Sequence, residues 1–224
     1  MPLLLHYLYT FAYSVNAHKM KNIISLSLVN KDFPVGEGVF RALDSIDLNI
    51  GKGEFTGLVG PSGSGKTTLL NIIGSLDTPT SGEAVVLGKN IASLSSGDSA
   101  ELRNRHIGFI FQSYNLLPVY TVFENVEFAL LLQDHTREER RRAVMEALDW
   151  VGLTEKKDSR PSQLSGGESQ RVAIARAMVK RPALVLADEP SANLDAENSH
   201  NILRTMLKLN EELKTTFVFA THDE

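Results

Sequence analysis

The chain has 224 residues, a length that suits one α/β domain with at most a smaller lobe. It is 42% hydrophobic and 22% charged with a formal net charge of -4, so a nucleic-acid backbone, which calls for a basic face, is argued against as the main ligand. Cysteine is absent, which excludes disulfides and thiolate metal sites, and no run reaches the roughly 18 apolar residues of a membrane-spanning helix.

The first 17 residues, MPLLLHYLYTFAYSVNA, form the most apolar stretch. They make a poor secretory signal: Lys19 is the first cation, and Val15-Asn16-Ala17 matches a cleavage site badly. The expectation is that the natural start is Met20, that residues 1–19 stand outside the fold, and that residues 20–224 form the domain.

Beyond the leader, residues 23–29 and 40–50 alternate in the manner of strands, and Gly51-Lys52-Gly53 is a turn. A short apolar strand at 55–59 ends on Gly60, and a helix is predicted over 66–74 with a glycine stop. Strands follow at 83–87 and 107–111. From Ser113 to about Gln163 the pattern is helical only, with helices at 122–132 and 137–151. The second has an apolar stripe of Ala143, Ala147 and Val151 beside Val144 and Leu148, and a Thr136/Glu139 capping box at its start. The charge run 137–142 reads as its solvated face and Trp150 as a packing residue. Strands return at 183–187 and 216–220, separated by a helix over 196–213. Alternating strands and helices imply an α/β fold with a largely parallel sheet, and the helical stretch implies an inserted subdomain at about 113–163.

Gly60-Pro61-Ser62-Gly63-Ser64-Gly65-Lys66-Thr67 has the spacing G-x-x-x-x-G-K-[ST] between a strand and a helix, with Thr68 next along that helix. Glycines let successive N–H groups turn inward as a nest for phosphate oxygens, and the helix points its positive end at the same place. Lys66 is expected on the β- and γ-phosphates and the Thr67 hydroxyl on Mg²⁺. The apolar run 183–187 then delivers two acids. Asp188 is suited to hold Mg²⁺ through water, and Glu189 to orient or deprotonate an attacking water. An acidic turn capping the next segment is the plainer reading of that pair, and the phosphate loop tips the balance to hydrolysis.

Leu164-Ser165-Gly166-Gly167-Glu168-Ser169-Gln170-Arg171 runs into an apolar helix pattern. Here the sequence resembles the ABC ATPases, whose signature is L-S-G-G-x-x-x-R. Ser165 with Glu168 also reads as a simple capping box, and capping geometry is what exposes the N–H groups of an anion site. The resemblance implies a P-loop NTPase fold with an N-terminal antiparallel β part. It implies that Ser165, Gly166 and Gly167 close over ATP bound to a second copy of the chain. It also places Gln112 as a loop glutamine linking Mg²⁺ and the attacking water to a membrane partner. Asp195, in Ser191-Ala192-Asn193-Leu194-Asp195, falls on the loop that crosses the dimer, and His222 on the histidine that contacts the γ-phosphate. Phe33 sits where the family stacks an aromatic, usually Tyr, on adenine; burial in the core is the alternative. The chain stops two residues after His222, where family members continue, so truncation is expected.

Residues 76–82 (LDTPTSG) and 111–118 (FQSYNLLP) resemble the branch of lipoprotein-release and macrolide-exporter ATPases. That resemblance implies a soluble subunit on the cytoplasmic face of a separate permease, with Gln112 to Pro118 forming the permease groove. A transmembrane signalling ATPase of the cell-division type would carry the same motifs. A soluble ATPase of DNA repair or translation would need insertions or a second cassette that this chain lacks.

Overall fold

The computed structural model describes residues 9–13 and 21–222. The centre is a five-stranded sheet in the order β1 (Tyr9–Tyr13), β4 (Phe55–Val59), β9 (Thr216–Thr221), β8 (Leu184–Asp188) and β7 (Ile107–Ile110). All pairings are parallel except β1 with β4. β8 is buried along Leu184 to Ala187 because helices cover both faces, which is why it reads as continuous apolar sequence. A second, antiparallel sheet runs β3 (Gly38–Gly51), β2 (Asn22–Val35), β5 (Ser81–Val86) and β6 (Lys89–Asn90).

Two cores lie on opposite sides of the parallel sheet. On one side, helix α1 (Lys66–Ile73) buries Leu69, Leu70, Ile72 and Ile73 between the two sheets, against Ile24, Leu26 and Val218. On the other, α3 (Val122–Glu127), α4 (Arg137–Trp150), α5 (Gly166–Met178) and α6 (Ala196–Leu213) pack around Val126, Leu148, Ile174, Met206 and Phe217. Capping boxes begin α3 at Thr121/Glu124, α4 at Thr136/Glu139 and α5 at Ser165/Glu168. Each satisfies two backbone N–H groups that would otherwise lack partners.

Several expectations are corrected. Five residues of the leader, Tyr9–Tyr13, form β1 on the outer edge of β4, so the expectation that the whole of residues 1–19 stands outside the fold fails for them. Their aromatic alternation suits a strand, and β4 offers an otherwise unpaired edge on that side. Met20, the cleavage-like Val15-Asn16-Ala17 and Glu224 lie outside the described residues. The helix expected over 122–132 ends at Glu127 and continues as a 3₁₀ turn, Phe128–Leu130. Phe128, Leu131 and Leu132 are exposed there, leaving Leu130, with Ala129 partly buried beside it, to anchor the segment. Helix α2 (Ser96–His106) was not anticipated, because it is polar nearly all round and buries only Leu102.

Candidate functional site

The carboxyl ends of β4, β8 and β9 are neighbours, so the residues that follow them meet at one edge of the sheet. Gly60 leaves β4 with its N–H bonded to the Thr221 carbonyl. The loop then turns through Gly63 and Gly65, both with left-handed φ of 79° and 90°. A Cβ on Gly65 would stand 2.6 Å from the Ala42 carbonyl oxygen, so β3 fixes how the loop enters α1. Gly65 caps α1 without a side chain, which leaves the first N–H groups of that helix open to an anion. Pro61, Ser62, Gly63 and Thr67 are exposed and Thr68 half-buried, while Ser64 and Lys66 are buried. Lys66 Nζ donates to the Gly60 and Pro61 carbonyls at 2.6 and 3.0 Å, spanning the loop from within.

Asp188 and Glu189 face this cradle. Thr67 Oγ1 donates to Asp188 Oδ2 at 2.9 Å. Asp188 Oδ1 is buried with no hydrogen-bond partner among the described residues. Burial pushes the Asp188 carboxyl above its ordinary range, with the Thr67 hydrogen bond opposing and the Glu189 charge adding to the rise. Glu189 adopts a left-handed φ of 48°, and its Oε2 accepts from His222 Nδ1 at 2.7 Å while Oε1 lies 3.8 Å from Lys66 Nζ. The structure therefore joins Lys66, Thr67, Asp188, Glu189 and His222 into one polar cluster from three strand ends. A nest of N–H groups suits the phosphates of a triphosphate, and the hydroxyl and orphaned carboxylate oxygen beside it suit a hard divalent cation. Among the described residues no cluster of three or more His, Cys, Asp or Glu could hold a metal by itself.

The other expected residues fall into a second group. Ser165 and Gly166 are exposed at the tip of α5, and Gly167 is buried behind them. Ser165 Oγ accepts from the Glu168 N–H, and the Ser165 N–H donates to Glu168 Oε2. These bonds hold the Glu168 carboxyl below its ordinary range. The tip touches the Gln112 loop: a Cβ on Gly166 would come 3.1 Å from the Tyr114 hydroxyl and 3.2 Å from Leu194. Gln112 is exposed, and its carbonyl accepts from Asn193 Nδ2 at 2.9 Å. Asp195 caps α6, accepting from the Asn198 backbone N–H at 2.8 Å. Phe33 is 36% exposed and outside both cores, with Lys31 Nζ 5.0 Å above its ring. Its neighbour across the hairpin is Phe40, two residues before Ala42.

Sequence reasoning missed the residues that tie the second group together. Arg176, on α5, donates to the carbonyls of Tyr114 and Asn115, which have consecutive left-handed φ of 60° and 48°. Asn125 is fully buried and satisfies four backbone groups of the loop and its own helix. A polar residue on an apolar helical stripe was the available signal for both. Beside this loop lies an apolar groove of about 270 Å³, floored by the stacked rings of Phe109 and Phe111 and bordered by Phe128, Arg176 and Lys180.

A phosphate cradle, an acid pair at the next strand end and a histidine at a third define the class of P-loop nucleoside-triphosphate hydrolases. The sequence profile of the ABC transporter family matches residues 43–192. The chain is 45% identical over 201 residues to the lipoprotein-releasing system ATP-binding protein LolD of Pseudoalteromonas translucida, covering 90% of this chain and 87% of that one. It is 43% identical over 202 residues to LolD of Bacteroides fragilis, covering 90% and 92%. Among solved structures it resembles a dimeric structure of the ABC transporter cassette MJ0796 at 43% identity and a TM-score of 0.82, covering 89% and 88%. A post-hydrolysis dimer of the same cassette bound to ADP and Pi matches with a TM-score of 0.81 at 43% identity, covering 89% and 88%. The chain belongs to the ABC transporter family, as an ATP-binding and ATP-hydrolysing subunit. No helix among the described residues is long and apolar enough to cross a membrane.

Proposed function

We propose that this chain powers a separate membrane permease of the lipoprotein-release or macrolide-exporter type, working from the cytoplasmic face as an ATP-closed dimer of two copies. The carrying observation is the division of the site. The phosphate cradle and the hydrolytic residues form one cluster, whereas the Ser165–Gly167 tip is capped, exposed at Ser165 and Gly166, and braced against the Gln112 loop. A tip presented outward in this way suits the γ-phosphate held by a second copy, in keeping with the dimeric cassettes this chain resembles.

Within each site, N–H groups of the loop from Gly60 to Thr68 hold the phosphates, and Lys66 leaves the Gly60 and Pro61 carbonyls to meet the β- and γ-oxygens. Thr67 and Asp188, with Gln112 reaching in from its loop, would hold Mg²⁺, which would supply charge neutralisation at the phosphate oxygens. Glu189 orients the attacking water and takes its proton as the new P–O bond forms and the bond to the β-phosphate oxygen breaks. His222 fixes Glu189 and contacts the γ-phosphate. Phe33 stacks on adenine, and Asp195 holds the crossing loop at the dimer contact. The apolar groove beside Phe111 and Phe128, with Val119 and Leu132 exposed nearby, receives the permease segment.

Glu189→Gln tests this reading. The variant is expected to bind ATP, lose turnover and run as a dimer on size exclusion with ATP. A variant that stays monomeric with saturating ATP would overturn the shared-site assignment. Co-purification with a membrane permease carrying a large extracytoplasmic domain is expected for the transport role.

A further inference from the structure

Helix α5 has one buried polar residue whose bonding is incomplete. Gln170 is fully buried, and its Nε2 donates to the Pro190 carbonyl at 2.6 Å. Its Oε1 is buried with no partner. A side chain that served packing alone would not keep an unsatisfied acceptor in a core when methionine fills the same volume. The donated bond is what the position uses.

That bond reaches the residue following Glu189. The Glu189 N–H is fixed to the Ala220 carbonyl at 3.1 Å, and its own carbonyl accepts from the Ala192 N–H at 3.2 Å. Between these ties Glu189 holds a φ of 48°, which non-glycine residues seldom adopt and which the surroundings must enforce. Gln170 adds a third tie, on the far side of the Pro190 peptide group. Five residues before Gln170 on the same helix stands Ser165, about 7–8 Å away along the axis. The intervening turn is a capped helix with Gly167 and Ser169 buried, so tip and grip move as one body.

We propose that Gln170 is a positioning residue: through the Pro190 carbonyl it holds Glu189 in its left-handed conformation and links the Ser165 tip of a chain to that chain's own hydrolytic carboxylate. The inference rests on the reading of Glu189 as that carboxylate. Docking of the tip on a partner's nucleotide is then felt at Glu189 of the chain that owns the tip.

Gln170→Met keeps the volume and removes the donor. The expected result is a fall in kcat of about three- to tenfold, the size of one lost neutral hydrogen bond that positions the hydrolytic residue. KM for ATP stays within about twofold, and the melting temperature and ATP-driven dimer formation are retained. Gln170→Glu supplies a second readout. Ionised, it cannot donate to Pro190; protonated, as burial favours, it can, so its kcat relative to wild type rises as pH falls from about 8 to 5.5. Unchanged kcat in Gln170→Met, loss of dimer formation together with turnover, or a flat relative profile in Gln170→Glu would each overturn the proposal. Turnover surviving in Glu189→Gln would instead refute the underlying assignment of Glu189, so the two failures are distinguishable.

Discussion

Thr67 and Asp188, 121 residues apart, share a hydrogen bond of 2.9 Å between the first turn of α1 and the end of β8. The bond brings together two of the three ligands proposed for the cation, and it opposes the burial that raises the Asp188 carboxyl above its ordinary range. Thr67→Val preserves shape and deletes the hydroxyl. Turnover is expected to fall about 10- to 100-fold, the usual cost of a lost bond to a charged group. Nucleotide affinity without Mg²⁺ should change little. Steady-state hydrolysis and calorimetry with and without Mg²⁺ check both halves.

Gly65→Ala is expected to fold poorly and bind ATP weakly. Its Cβ would meet the Ala42 carbonyl at 2.6 Å, and its φ of 90° is strained for any L side chain. Strain and overpacking of this kind cost about 1–3 kcal/mol each. A drop of several degrees in melting temperature should accompany lost ATP affinity; a variant that keeps both would show that the loop entry is not fixed by β3.

Phe33 is exposed, so removing it should weaken nucleotide binding without unfolding the chain. Phe33→Ala is expected to lose about three- to tenfold in ATP affinity, in line with about 0.5–1.5 kcal/mol for an aromatic contact. Phe33→Tyr should match wild type. A large loss of stability with unchanged affinity would return Phe33 to a packing role.

Lys180 borders the apolar groove and donates to the Arg103 carbonyl, and burial pushes its amine down from 10.5 to about 8. Between these values the unfolded chain holds a proton that the folded chain has released, so raising the pH stabilises the fold across that window. Below about 8 both states are protonated and the burial penalty is fully present. Wild type should therefore gain stability relative to Lys180→Met between pH 8 and 10 in urea titrations. An equal response of the two proteins would place the ammonium in solvent.

Much of this arrangement was readable from residue order. The phosphate loop, the acids after 183–187 and the capped Ser165 helix each combine a local period with punctuation, and local signals survive folding. What escaped was bonding between distant segments. Nothing beside Arg176 in the sequence shows that it grips the Tyr114 and Asn115 carbonyls, 62 and 61 residues away. Gln170 reads as one more polar residue of the signature stretch until Pro190 is seen against it. Helix α2 was missed for another reason: with one buried residue it has hardly any apolar stripe to detect. Residues 9–13 were set aside on targeting arguments that do not address whether a sheet edge is open to them.

The sheet order has a consequence for synthesis. β9 is the last of the described strands to be made, yet it lies between β4 and β8, which have no pairing with each other. A nascent chain on the ribosome therefore carries β4 apart from the β7–β8 pair until Thr216–Thr221 has emerged. Closure of the sheet waits for β9, more than 150 residues after β4, leaving two apolar strand edges exposed to chaperones or to neighbouring chains in the interval.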